Sequence, residues 1–436
     1  MKNTENTPAK KLKGNRVENI IYILLASPAL FLLVNRYPYL LVLSVLSVLI
    51  LSFVFLFKRQ KITSYHYPVL LILTLIYSYF IFSYFFSGQY ISNFFSYDFL
   101  RTNGNFFFCY ILFFALAVPF FNYRKVSDYF FKFTFVVFSA FSLVGIFEYI
   151  TGLSSFTLLG SVDRGMMFVG LNIAHNATGS IYALVSVFAL IFFLQEKTRR
   201  NKILYGVVFA LSGATLFLTK SRGSYIAFFA VALFVLWMHL ASAKKFFITV
   251  SAITVISVPI LWVTNMIQRF VQILMVDGTA AVRVDLWQKA WELFTKSPLF
   301  GVGFGRYNDI RSVLFENLAG YDGFWAVFLH PRFTFGFGHA HNSYLQFLAE
   351  TGILGLGLLL SFWVLCFHII FKAYKASKDS FNRKTFLAGL SAILLLFVLS
   401  LTENYFSATI VMIGSSMVVS LCLGLGWQER AENRDS

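Results

Sequence analysis

Residues 338–357 read GHAHNSYLQFLAETGILGLG, and their character changes halfway along. Two histidines and an asparagine come first, then an amphipathic stretch, then glycines and leucines suited to lipid. Tyr344, Leu345, Leu348 and Gly352 recur at helical spacing and are predicted to share one inward face. His341 stands about one turn before Leu345, so the same spacing carries it toward the interior at a membrane surface. A neutral imidazole in that position can accept a proton from a hydroxyl group. An interfacial histidine satisfied by a backbone carbonyl would have the same local sequence.

The chain around this stretch is built for a bilayer. Of its 436 residues, 58% are hydrophobic and 13% charged, with a mean hydropathy of +0.72. Soluble globular proteins carry about 25% charged residues. A membrane-spanning helix needs about 20 mostly apolar residues. Twelve runs are read as such helices: roughly 17–34, 39–57, 67–86, 105–121, 126–150, 166–194, 203–219, 224–241, 246–265, 352–371, 385–402 and 409–427. The expected fold class is all-α, a polytopic integral membrane protein with about 12 transmembrane helices. Residues 1–265 hold the first nine, 266–351 form a large outer loop with amphipathic helices, and 352–436 hold the last three.

The net charge of +17 does not point to nucleic acid, because its carriers sit in short clusters between apolar runs. The N-terminus and the segments 58–61, 122–125, 195–202, 242–245, 372–384 and the C-terminus hold 23 of the 36 Lys and Arg. Short basic loops stay in the cytoplasm, which places both termini there and residues 338–357 on the outer face, the periplasmic face in a bacterium. The first apolar run lacks a small-x-small cleavage site and is read as a retained helix. Cys109, Cys366 and Cys422 all lie in apolar runs, so neither a disulfide framework nor a CxxC metal site is implied.

The outer set of charges is arginine-rich, with 9 Arg to 3 Lys against 8 Arg to 15 Lys on the cytoplasmic side. Arginine grips phosphate oxygens bidentately and stays charged when partly desolvated. Lys220 and Arg222 lie in LTKSRGSYIA (218–227), between two apolar runs, where charges are costly unless paired or wet. Arg283 lies in AVRVDLW, within pairing reach of Asp285 or Asp277. The following SPLFGVGFGRY places Gly301, Gly303 and Gly305 before Arg306 in a pattern that is neither a phosphate loop nor a dinucleotide fingerprint. GLNIAHNATGS (170–180) offers a second His-Asn pair, with Asn176 either lining a cavity or capping a helix. His330, His339, His341 and Glu350 fit no zinc spacing, so no metal is expected. No acidic residue lies mid-run, which disfavours an ion-coupled transporter.

Taken in order, TKSRG (219–223), RVDLW with SPLFGVGFGRY, and HNSYLQFLAETGILG resemble the O-antigen ligase and polymerase superfamily. The ligase signature of His, then Asn, nine residues, Gly, two residues and Gly is met by His341, Asn342, Gly352 and Gly355. The matches span 219–357, and the helix count extends the likeness loosely to the whole chain. The resemblance implies a membrane-embedded, GT-C-like glycosyltransferase that needs no metal or other cofactor. Its donor would be a glycan on undecaprenyl diphosphate, and a ligase's acceptor a sugar hydroxyl of lipid A–core. By motif, His341 is the implied base and Arg222 and Arg283 the implied diphosphate binders; Lys220, Arg306, Asn342, His339 and Asn176 are supporting candidates. The family also contains O-antigen polymerases and protein O-oligosaccharyltransferases. A lipid-linked glycan flippase is the rival from another class.

Overall fold

The computed structural model describes residues 67–87, 123–151, 175–263, 279–307, 339–407 and 409–435. Among them every regular element is an α-helix: α1 (Tyr67–Phe86), α2 (Tyr123–Thr151), α3 (His175–Gln195), α4 (Arg199–Leu218), α5 (Arg222–Leu240), α6 (Ala243–Val263), α7 (Thr279–Lys296), α8 (Ser343–Ala376), α9 (Ser380–Leu399) and α10 (Thr409–Asp435). Seven of these, α1–α5, α8 and α9, are long and apolar enough to cross a membrane. The chain is a multi-pass membrane protein. Nine of the expected runs coincide with α1–α6 and α8–α10, while 17–34, 39–57 and 105–121 lie outside the described residues.

The sequence explains which helices sit at the centre. Helix α3 carries small residues around its whole circumference, including Thr178, Gly179, Ser180, Ala183, Ser186 and Ala189, all buried. Water expulsion does not drive helix association in lipid, so close backbone approach and hydrogen bonds do. Ser186 Oγ accordingly donates to Ser212 Oγ of α4 at 3.0 Å. Phe131, Phe135, Phe188 and Phe192 interlock α2 with α3 in tilted and edge-on contacts. Helix α9 is buried along most of its length in the same way. Helix α4 turns Ile203, Leu204, Val207 and Phe217 outward, the apolar face that lipid requires.

Contacts between the described connections sort them to two ends. At one end gather the basic connections: Lys384 meets Glu196 at 2.7 Å, and Arg124 meets Asp379 at 2.9 Å. At the other end gather the start of α3, the α4–α5 turn, α7, the start of α8 and the α9–α10 turn. Helix α7 is amphipathic, but the helical spacing of Val284, Trp287, Trp291 and Phe294 suggests the wrong inner face: Leu286, Ala290 and Leu293 are buried while Val284 and Trp291 stay exposed.

Helix α8 departs from the sequence expectation at its glycines. Gly352 has φ 65° and ψ −170°, which breaks the helix between 351 and 353. Gly355 lets Tyr79 of α1 approach, since a Cβ there would meet its ring at 2.8 Å. At Gly357 a Cβ would face open space with nothing within 4 Å, so this glycine serves no close approach.

Candidate active site

Helix α8 begins at Ser343, two residues later than its periodicity implies. Asn342 is the N-cap: its Oδ1 accepts from Leu345 N at 3.1 Å, and its Nδ2 donates to Leu401 O at 3.2 Å. An N-cap satisfies a helix donor that has no intrahelical partner. Asn342 is therefore committed to the mount of the site. His341 lies outside the helix, in the left-handed region at φ 49°. Such a conformation is uncommon for a residue with a side chain and needs local support. Ala340 N donates to Gln346 Oε1 at 3.0 Å and His341 N to His339 Nδ1 at 3.2 Å, which hold it.

This conformation turns His341 toward the α9–α10 turn. Its Nδ1 lies 2.8 Å from Glu403 Oε2, with the two side chains 19% and 12% exposed. Glu403 Oε1 accepts from Asn176 Nδ2 at 2.9 Å and from Arg283 NH2 at 3.4 Å. One carboxylate thus gathers residues from α3, α7 and the approach to α8. Burial pushes the Glu403 carboxyl upward, but the His341 hydrogen bond and the neighbouring His341, His339 and Arg283 outweigh it and hold it below the ordinary carboxylate range. The His339 ring centroid lies 4.2 Å from that of His341. Desolvation, reinforced by the nearby His341, pushes the His339 imidazole down to about 4. The turn itself is pinned by Ser343, whose Oγ donates to Glu403 O at 3.0 Å and accepts from Phe406 N at 3.2 Å.

Lys220 and Arg222 flank the site on the α4–α5 turn. Lys220 takes φ 53°, and Arg222 opens α5. A Cβ on Gly223 would meet Thr402 Oγ1, the neighbour of Glu403, and a Cβ on Gly179 would meet Ser221 Cβ at 2.7 Å. Only glycine permits both approaches. Ser221 Oγ donates to Asn176 Oδ1 at 3.0 Å, so Asn176 bridges this turn to Glu403. His175 lies within electrostatic reach of Glu403, Arg222 and Arg283.

The glycine-rich segment does something the sequence did not indicate. At the Gly352 break, Ile353 N donates to Pro298 O at 2.9 Å and Leu354 N to Leu299 O at 3.4 Å. In return Val302 N donates to Ala349 O and Gly303 N to Glu350 O, each at 2.9 Å. The segment replaces the helical bonds that the break removes, so the backbone groups are satisfied from outside the helix. Gly301 and Gly352 have φ 73° and 65°, and a Cβ on either would strike backbone across this junction. The segment is a backbone clamp on α8.

The family comparison falls on this constellation. Residues 207–360 match the family model for O-antigen ligase, a stretch running from α4 into α8. Over that stretch the match supports the O-antigen ligase superfamily. No curated protein matches it. The O-antigen ligase match contains Lys220, Arg222, Arg283, Arg306, His339, His341 and Asn342, whereas Asn176 and Glu403 lie outside it.

The structure brings His341, His339, Arg283 and Asn176 together around Glu403. Arg283 pairs with that residue and not with its sequence neighbour Asp285; Asp277 lies outside the described residues. Arg306 is engaged elsewhere: its NH1 donates to Ser87 O at 2.7 Å, just past the end of α1. Glu403 was missed because it sits at the end of an apolar run; its sequence signal is an acid at a membrane boundary in a chain with 19 acidic residues. His339, His341 and Glu403 each offer an atom within 4.8 Å of the others, a spacing compatible with a metal ion. The His341–Glu403 hydrogen bond already occupies facing atoms, and Arg283 brings positive charge to the same carboxylate, so the donor set fits a cation poorly. Glu350 accepts from Gly305 N and Tyr307 N, and His330 lies outside the described residues.

Proposed function

We propose that this protein is an O-antigen ligase that transfers a glycan from undecaprenyl diphosphate to a sugar hydroxyl of lipid A–core, on the periplasmic face of the bacterial inner membrane. The observation that carries this reading is the contact of His341, inside the family match, with Glu403. An ionised Glu403 accepts the Nδ1–H of His341 and so leaves Nε2 as the basic nitrogen. His341 Nε2 takes the acceptor hydroxyl proton as the oxygen attacks the anomeric carbon, and the bond to the diphosphate oxygen breaks on the opposite face. The anomeric centre inverts, and the leaving group departs as undecaprenyl diphosphate. Arg222 and Arg283 stabilise its developing charge, a role that needs no metal. The long 3.4 Å contact of Arg283 with Glu403 supports this part, because it commits the guanidinium weakly. Clustering of the basic connections at one end supports both termini in the cytoplasm, with the site at the opposite face. About 12 helices in total, divided at 265 and 351, remain our reading of the whole chain.

The test is turnover with purified protein, donor and acceptor in the presence of EDTA. A ligase releases undecaprenyl diphosphate and leaves glycan on lipid A–core. Arg222→Ala and Arg283→Ala should each lower this by about 10²-fold, with Arg→Lys restoring little, since the planar fork is lost. Lengthened glycan on the carrier would show a polymerase instead. Movement of donor across vesicles without release would show a flippase.

A further inference from the structure

Glu350 is 3% exposed and lies nine residues beyond His341. Buried carboxylates need hydrogen-bond donors, and this one takes them from two directions. Along α8, Gln346 Nε2 donates to Glu350 Oε1 at 3.3 Å, while Gln346 Oε1 accepts from Ala340 N, the residue before His341. Across the clamp, Gly305 N donates to Oε2 and Tyr307 N to Oε1, each at 3.1 Å. Tyr307 is 1% exposed, and its hydroxyl donates to Leu286 O at 2.8 Å, inside α7. Arg283 is three residues earlier on α7, within the same turn. Lys289 Nζ of α7 stands 4.5 Å from the Tyr307 ring centroid, a cation–π contact that adds to the grip.

We propose that Glu350 is the positioning residue that fixes Arg283 relative to His341. One branch of its hydrogen bonds sets the left-handed backbone at His341, and the other sets the rotation of α7. The two branches meet again at Glu403, which receives both His341 and Arg283. The loop is closed, so a change at Glu350 reaches both groups without touching substrate. A carboxylate suits the site because Gly305 N, Tyr307 N and Gln346 Nε2 all present N–H groups to it; an amide in its place turns an NH₂ toward one of them.

This inference rests on the ligase reading for its kinetic arm, and its geometric arm is independent of it. Spin labels at Gln288 of α7 and Ile353 of α8, both exposed, report the distance between the two helices. Glu350→Gln should broaden that distance distribution, Tyr307→Phe should broaden it less, and Glu350→Asp should keep it narrow. In turnover, Glu350→Gln should raise the KM for the lipid diphosphate donor and lower kcat, together by roughly tenfold or more. The same change in an Arg283→Ala background should cost little further, because the group being positioned is gone. A narrow distribution in Glu350→Gln, or losses that multiply with Arg283→Ala, would overturn the proposal. Broadened distances in a protein that transfers no glycan would leave Glu350 as the tether and refute the ligase reading alone. If Glu350→Gln fails to fold, Tyr307→Phe carries the same two readouts.

Discussion

Each end of the helix bundle holds a partly buried carboxylate between elements, and the two are used differently. At the basic end, Glu196 accepts from Lys384 Nζ at 2.7 Å and from the backbone of Lys197 and Thr198 at 3.1 Å. Its partner is a permanent cation, 9% exposed, lying 5.6 Å over the Phe192 ring. At the far end, Glu403 faces an imidazole, an amide and a guanidinium. Two of the non-glycine residues with positive φ, Lys220 and His341, belong to this second cluster, whereas Ala241 merely closes α5. A partly buried acid is therefore uninformative alone. What separates the ends is a partner that can gain and lose a proton, held on strained backbone at an aqueous boundary.

The sharpest break between the ends should come from His341→Ala. Loss of a general base costs about 10²–10⁴ in rate, so turnover should fall in that range while donor binding changes little. Binding of labelled donor beside single-turnover transfer checks both halves. Glu403→Gln comes next, at about 10²: the amide keeps the shape of the side chain but loses the charge that selects the His341 tautomer. Near-normal turnover in that variant would reduce Glu403 to a scaffold for the turn.

Acid should separate the two ends more gently. Desolvation keeps His339 neutral down to about 4 in the folded chain, against an ordinary 6.5. Unfolding therefore takes up a proton between these values, so the contribution is complete above pH 6.5 and is lost as pH falls toward 4. Glu403, held low, acts in the same direction: its contribution is present above the ordinary carboxylate value and is lost as pH falls through its lowered one. Hydrogen exchange at residues 339–345 and 400–407 should rise through this window, and His339→Asn should flatten the rise. The smallest effect on turnover belongs to Lys384→Met. It strands Glu196 and should lower stability by about 3 kcal/mol, while each folded molecule retains its rate. Thermal unfolding in detergent with activity per folded molecule separates the two.

Much of this was legible in sequence, for reasons that can be named. Apolar runs such as 67–86 need only length and composition to read, and the helix found there has those bounds. His341, Arg222 and Arg283 were found through ordered motifs, and the structure sets Arg283 and His341 on one carboxylate. Glu403 was not found, because its meaning depends on an antiparallel return that brings 403 back to 341, and no local pattern encodes that contact. His341 itself was placed on a helical face by spacing, whereas Asn342 ends the helix before it and a left-handed residue does the aiming. The Gly301–Gly305 segment matches no ligand-binding fingerprint because its partner is the backbone of another segment.

The interruption at Gly352 has a mechanical side. Residues 343–351 hang from the 298–303 segment and from the α9–α10 turn, while 353–376 form the membrane-crossing part of α8. A span in a bilayer of unsuited thickness responds by tilting. The four backbone bonds to the 298–303 segment straddle the break, so Gly352 is a splinted elbow, and tilt of the span carries the imidazole with it. Turnover in vesicles should accordingly peak at the lipid chain length that matches the span and fall in thinner and thicker bilayers.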